Sequence, residues 1–244
     1  MKDLYEMIFK RKSIRKYDED LHVSKEELDK INEQLKEIEP LIKDIKIEFK
    51  IVKREETTAK HGEYCLLMYS ENKAQYLLNA GYMLEQIDLF MASINIGACW
   101  YGMAKAKESN LDGLDYVIMI SFGKSGAEDF RSNFLKTNRK DLKDIWKGKY
   151  FIDIAKIVRY APSACNSQPW IVQSNENKLI IYRKTKLISI MGSKQQYFNS
   201  IDMGIFLLFL DITLNKMNYK YQKELCKNEI SNLEYIEVAT YTIK

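Results

Sequence analysis

Leu4, Tyr5, Ile8 and Phe9 recur at helical spacing behind Asp3, which predicts a short amphipathic helix with Asp3 at its cap. The helix runs out in the basic triplet Lys10, Arg11, Lys12. Ser24 and Glu27 form a capping-box signature ahead of the apolar face Leu28, Ile31, Leu35, Ile38, so a second helix is expected from Lys25 to Glu37, with Pro40 just beyond. Ile45, Ile47, Phe49 and Ile51 then alternate with charged residues, the period of a strand with one wet face. Tyr64 to Ser70 is nearly all apolar and predicts a more deeply buried strand. From Lys73 to about Asn95 the chain carries Leu77, Leu78, Met83, Leu84, Ile87, Phe90, Met91 and Ile94, a helix apolar nearly all round that belongs inside a protein.

Tyr116 to Phe122 is β-branched and apolar, a buried strand that stops at Gly123. Asp153 to Tyr160 reads as helix, and Trp170 to Gln173 and Leu179 to Tyr182 read as extended around a polar turn at Asn175, Glu176 and Asn177. Phe198 to Asn215 is another strongly apolar helix, and Glu234 to Ile243 a closing strand. Side by side, the two apolar helices align Asn79-Ala80-Gly81 with Asp202-Met203-Gly204. Two unrelated core helices would also give coincident apolar positions. No Pro/Gly-rich linker divides the chain, which is long enough for one large domain or two intimate halves.

Composition narrows the function classes. A net charge of +4 over 244 residues, with both signs interleaved, argues against nucleic acid as a partner. Cys65, Cys99, Cys165 and Cys226 are far apart and suit reduced thiols in a cytosol. With His22 and His61 alone, no metal site is expected. The N-terminus lacks the apolar core of a signal peptide, and the apolar run at Ile205 to Leu210 falls short of the ~20 residues of a membrane span. The expected location is the cytoplasm.

Four short elements could carry chemistry. Arg11, Lys12, Ser13 and Arg15 offer three cations and a hydroxyl to a phosphate, although a solvated basic helix end would look the same. In IGACWYG, Gly97, Ala98 and Gly102 leave room for a flat group beside the backbone; a helix C-cap at Gly97 is the competing account. Arg139 and Lys140 precede a helix and read alone as surface charges. In YAPSACNSQPW, Pro162 and Pro169 should hold Ala161 and Gln168 extended, and the small residues between them frame the amides of Asn166 and Gln168. That composition favours a ligand-facing loop over a mere connection.

Together, R-x-S-I-R, G-x-C-W-x-G, the late R-K, the D-x-G or N-x-G helices and A-P-S-x-x-N-x-Q-P-W resemble the FMN-dependent nitroreductase family. The resemblance implies an α+β fold with a mainly antiparallel sheet wrapped by helices. It implies that FMN carries the hydride chemistry, with no side-chain acid or base needed. By the resemblance Arg11, Lys12, Ser13, Arg15 and Arg139 would hold the FMN phosphate and ribityl chain. Ala161, Pro162, Ser163, Ala164 and Asn166 would lie along the ring, and the Tyr101 and Gly102 backbone would approach its N5. NAD(P)H would supply hydride for a nitroaromatic or quinone-like acceptor. The A-P-S segment arrives only in the second half, which resembles a branch whose single chain carries two nitroreductase-like halves, residues 1–145 and 146–244. Such a chain would be an internal pseudo-dimer working as a monomer. A flavin-binding sensor or carrier without turnover, and a relative that has lost FMN, are the rival readings.

Overall fold

A computed structural model describes residues 4–17, 20–185, 194–226 and 234–244. The chain divides into two compact units, Met1–Lys136 and Thr137–Lys244. Arg139 lies in the second unit.

The first unit opens with α1 (Tyr5–Lys10), whose cap position is Leu4; Asp3 lies outside the described residues. Helix α2 (Lys25–Lys36) carries the expected capping box, Ser24 Oγ accepting from the Glu27 N–H and Glu27 from the Ser24 N–H. Strands β1 (Ile47–Lys53), β2 (Tyr64–Ser70), β3 (Ile96–Trp100), β4 (Asn110–Leu111) and β5 (Leu114–Lys124) form one antiparallel sheet in the order β1-β2-β5-β3, with β4 paired to β5. Strand β2 is buried along nearly all its length because both faces are covered. Cys65, Leu67 and Tyr69 join Val52, Leu114 and Met119 in one core, and the alternate side chains point to the opposite face. Helix α3 (Tyr76–Ser93) packs on β3 and β5 and is buried from Leu78 to Ala92. Its C-cap is Ile94, and Asn95 follows with a left-handed φ of 58°. Gly97 is therefore no C-cap: it lies within β3, opposite Gly123 in β5. Strand β5 runs through Gly123 to Lys124, past the stop expected there.

The second unit contains α4 (Leu142–Ile145), β6 (Trp146–Lys147), α5 (Ile152–Val158), β7 (Trp170–Ser174), β8 (Lys178–Lys184), α6 (Gln195–Lys216), β9 (Tyr221–Leu225) and β10 (Tyr235–Ile243). Its sheet has the order β6-β7-β8-β10-β9. Among the described residues, α6 is the only helix long and apolar enough to cross a bilayer, and 83% of its apolar window is buried inside the protein, the mark of a core helix.

The two units share a topology. In each, an antiparallel pair (β1-β2, β7-β8) leads into a buried helix (α3, α6), and the last strand (β5, β10) then inserts beside the second, with the third (β3, β9) outside it. The helices correspond in detail. Asp88 and Asp211 lie equally far along from Asn79 and Asp202. Each accepts a bond from the residue twelve positions on, in the following strand, Trp100 Nε1 at 2.9 Å in β3 and Lys223 Nζ at 2.6 Å in β9.

Candidate functional site

Segment 11–17 lies along the outer edge of β3. Ser13 bridges Ala98 in parallel, and the Ile14 N–H donates to the Ala98 carbonyl at 2.9 Å. Every third side chain turns inward. Arg11 is buried, Ile14 packs with Ala92 and Phe130, and the Tyr17 ring sits over Gly123, its hydroxyl donating to Ile14 O at 2.8 Å. Burial holds the Tyr17 phenol well above its ordinary pKa. Lys12, Arg15 and Lys16 are exposed, and Ser13 is half-buried.

The room at Gly97 is taken by this segment. A Cβ there would lie 2.1 Å from Ser125 Oγ and 3.0 Å from Ile14 Cγ2, so the glycine admits the protein's own chain and not a flat ligand. Cys99 is buried, and burial pushes its thiol up, which suits a core residue. Past β3, the Tyr101 N–H donates to Met119 O at 2.9 Å, while the Gly102 N–H makes no hydrogen bond among the described residues.

Arg11 is committed to carboxylates of α3. Its Nε donates to Asp88 Oδ2 at 2.8 Å, and its Nη2 stands 2.7 Å from the same oxygen, out of line for a hydrogen bond. Glu85 Oε1 is 3.9 Å away, and Trp100 Nε1 donates to both acids. Burial alone would lower the guanidinium pKa, but Asp88 and Glu85 outweigh it and fix the charge.

In the second unit, the loop 161–168 is held in a demanding conformation. Cys165, Asn166 and Gln168 have φ of 51°, 54° and 45°, left-handed values that cost a non-glycine residue of order 1–3 kcal/mol each. Gln168 precedes Pro169 yet is not extended as expected, because its neighbours bind it on every side. Its N–H donates to Ser163 Oγ at 2.9 Å, its Oε1 accepts from the Lys140 N–H at 2.9 Å, and its Nε2 reaches Asn166 O and Oδ1, both at 3.2 Å. Arg139 donates to Asn166 Oδ1 at 3.0 Å and Tyr160 O at 3.1 Å, and Lys140 Nζ donates to Ser167 O and Gln168 O. Asn166 Nδ2 donates to Asn138 O at 3.1 Å, which leaves one of its hydrogens unused.

From beneath, Asp202 of α6 closes the loop. Its Oδ1 accepts the Ala164 N–H at 2.9 Å and its Oδ2 the Ser167 hydroxyl at 3.4 Å. Desolvation outweighs these two bonds, and the carboxyl pKa is pushed up to about 8. The corresponding residue of the first unit, Asn79, holds Ile42 by both backbone groups, accepting its N–H at 3.0 Å and donating to its carbonyl at 3.3 Å. Ile42 follows Pro40 and precedes β1 just as the loop 161–168 precedes β7.

The family model described as "Putative TM nitroreductase" matches residues 3–214. This chain belongs to that nitroreductase family. A search of the curated proteins found no match. A solved structure described as a "putative nitroreductase" from Thermotoga maritima is 19% identical over 98% of this chain and 92% of its own, with a TM-score of 0.64, which establishes the nitroreductase fold. A "Putative NADH dehydrogenase/NAD(P)H nitroreductase" from Parabacteroides distasonis is 18% identical over 62% of this chain and 100% of its own, with a TM-score of 0.45.

Membership places this nitroreductase among the oxidoreductases. Of the residues singled out in the sequence, the structure brings Arg11, Ser13 and Arg15 onto one segment beside β3, and gathers Arg139, Ala161 to Ala164 and Asn166 around one loop. Lys12 turns away, its Nζ donating to Asp129 O at 3.0 Å. Sequence reasoning offered the Gln168 amide to a ligand and read Lys140 alone as a surface charge, and it gave Asp202 no site role. The signal for Asp202 was present: an acid inside a strongly apolar helix is costly unless something uses it.

Proposed function

We propose that this nitroreductase binds FMN and reduces nitroaromatic or quinone-like acceptors at the expense of NAD(P)H in a ping-pong cycle. The observation that carries the reading is the loop 161–168. Three left-handed residues within the motif's own stretch, over-determined by Asp202, Arg139, Lys140 and Ser163, are the kind of stored strain that collects where a ligand is placed.

The donor set fits FMN selectively. Arg11 is consumed by Asp88 and Glu85, which leaves Arg15, exposed and without an ion pair among the described residues, and the Ser13 hydroxyl as the groups for the phosphate. Arg139 serves the loop, fixing the Asn166 amide, one of whose hydrogens remains for a ligand. The Gly102 N–H is the backbone donor available to N5. When bound, FMN supplies the hydride chemistry, and the residues named here bind it, orient it and set its polarity.

The shared topology of the two units and the paired Asp88 and Asp211 support an internal duplication. The first copy has lost the A-P-S stretch, carrying Pro40 and Ile42 there instead, so one FMN per chain is expected, with the chain working as a monomer. The test is the visible spectrum of the purified protein, a titration with FMN, and anaerobic addition of NADH or NADPH. Bound flavin that bleaches at a catalytic rate is expected. Protein that stays colourless with added FMN overturns the reading, and flavin that binds but is not reduced makes the chain a carrier or sensor.

A further inference from the structure

The first unit contains a cleft of about 770 Å³, within the size range of small-molecule sites. It lies between segment 15–17, the end of β1, residues 60–64 and the end of β5. Six cations line it, Arg15, Lys16, Lys53, Arg54, Lys60 and Lys124, against the two carboxylates Glu55 and Glu63.

Local pairing does not balance that charge. Arg54 Nη2 donates to Glu55 at 2.8 Å, and Lys124 is bound to Glu27 outside the cleft. Glu63 is occupied by the Val23 N–H at 2.8 Å and stands 3.4 Å from His22 Nδ1. Arg15, Lys16, Lys53 and Lys60 make no ion pair or side-chain hydrogen bond among the described residues. Four cations gathered in one concavity repel one another and focus a positive potential there, so an anion of several charges relieves the repulsion and gains charge-assisted bonds.

The cleft also adjoins the proposed reaction centre. The Lys60 N–H donates to Tyr101 Oη at 3.2 Å, and the His61 and Tyr101 ring centroids are 6.4 Å apart. Tyr101 precedes Gly102, whose N–H is the donor assigned to the flavin N5. A dinucleotide delivering hydride there must lay its phosphate-bearing half against a neighbouring surface. We propose that this cleft holds the phosphates of the reduced nicotinamide dinucleotide, and that its surplus of cations selects the 2′-phosphorylated form. A diphosphate alone brings two negative charges and the 2′-phosphate close to two more, which Lys16, Lys53 and Lys60 meet while Arg15 serves the flavin phosphate. The inference rests on the proposed flavin site only for the direction in which the dinucleotide enters.

The probes are 2′-phospho-ADP-ribose and ADP-ribose, titrated calorimetrically into the full chain with and without FMN. Wild type should bind the 2′-phosphorylated analogue at least tenfold more tightly than the other, with an affinity that falls as salt rises. The Lys53→Ala/Lys60→Ala variant should lose at least tenfold of that binding while its FMN dissociation constant stays within twofold and its circular dichroism is unchanged. Equal affinity for the two probes, an unaffected double variant, or a wild type that binds neither overturns the proposal. So does a variant whose loss falls on FMN instead, which would make the cleft part of the flavin site. Lysine-dependent binding of the analogue by a chain that takes up no FMN supports the cleft and overturns the flavin reading alone.

Discussion

Arg11 and Arg15 stand four residues apart in one motif and have opposite fates. Arg11 is enclosed with Asp88, Glu85 and Trp100, so replacing it with methionine leaves two buried acids facing each other. Breaking such a group from one side costs about 3–5 kcal/mol, and urea unfolding of Arg11→Met should show a loss of that size. Arg15→Ala should leave stability within about 0.5 kcal/mol, as an exposed change does, and weaken FMN binding by about 1.5–3 kcal/mol, the scale of a charge-assisted hydrogen bond. A flavin titration that finds no weakening would return Arg15 to the role of a solvated charge. The sequence offered both arginines to one phosphate because cation spacing carries no information about depth. The acids that capture Arg11 come from a helix more than seventy residues away.

The capped helix α2, the buried helices α3 and α6 and the alternating strand β1 were legible because each is fixed by its own periodicity. Strand β3 was not. Five residues with a glycine second offer no alternation, and what makes them a strand is the distant β5 on one side and segment 13–14 on the other. Gly97→Ala tests that packing: the added methyl must displace Ser125 and Ile14, and a loss of about 1–3 kcal/mol in thermal or urea unfolding is expected. The loop 161–168 was legible in composition and not in conformation. The proline rule for Gln168 is a local preference, and side chains from Lys140, Ser163 and Asn166 override it together.

The stability of the whole molecule should carry the signature of Asp202. In the unfolded chain an aspartate titrates near 3.9, whereas in the fold this one holds its proton up to about 8. Its contribution is therefore complete below about pH 4 and is lost as pH rises toward 8, because over that interval the unfolded state binds fewer protons. Set against Asp202→Asn, which cannot titrate, wild-type stability should fall between pH 4.5 and 8, at up to about 1.4 kcal/mol per pH unit, and run parallel above. Parallel curves throughout would mean that the carboxyl is ionised in the fold. The two-unit plan was itself half legible: the paired helices could be aligned in the sequence, but the matching strand orders could not, because strand neighbours far apart in the chain leave no local mark.

Asn79 and Asp202 stand at matching positions of two helices whose sheets share a strand order, and they tie down the stretches of chain that precede β1 and β7. An amide does this at one of the two positions and an acid at the other. On the duplication proposed above, Asn79 is the control for Asp202: an amide suffices to hold the chain, so the use of an acid at Asp202 lies in its proton or its charge and not in fastening a loop.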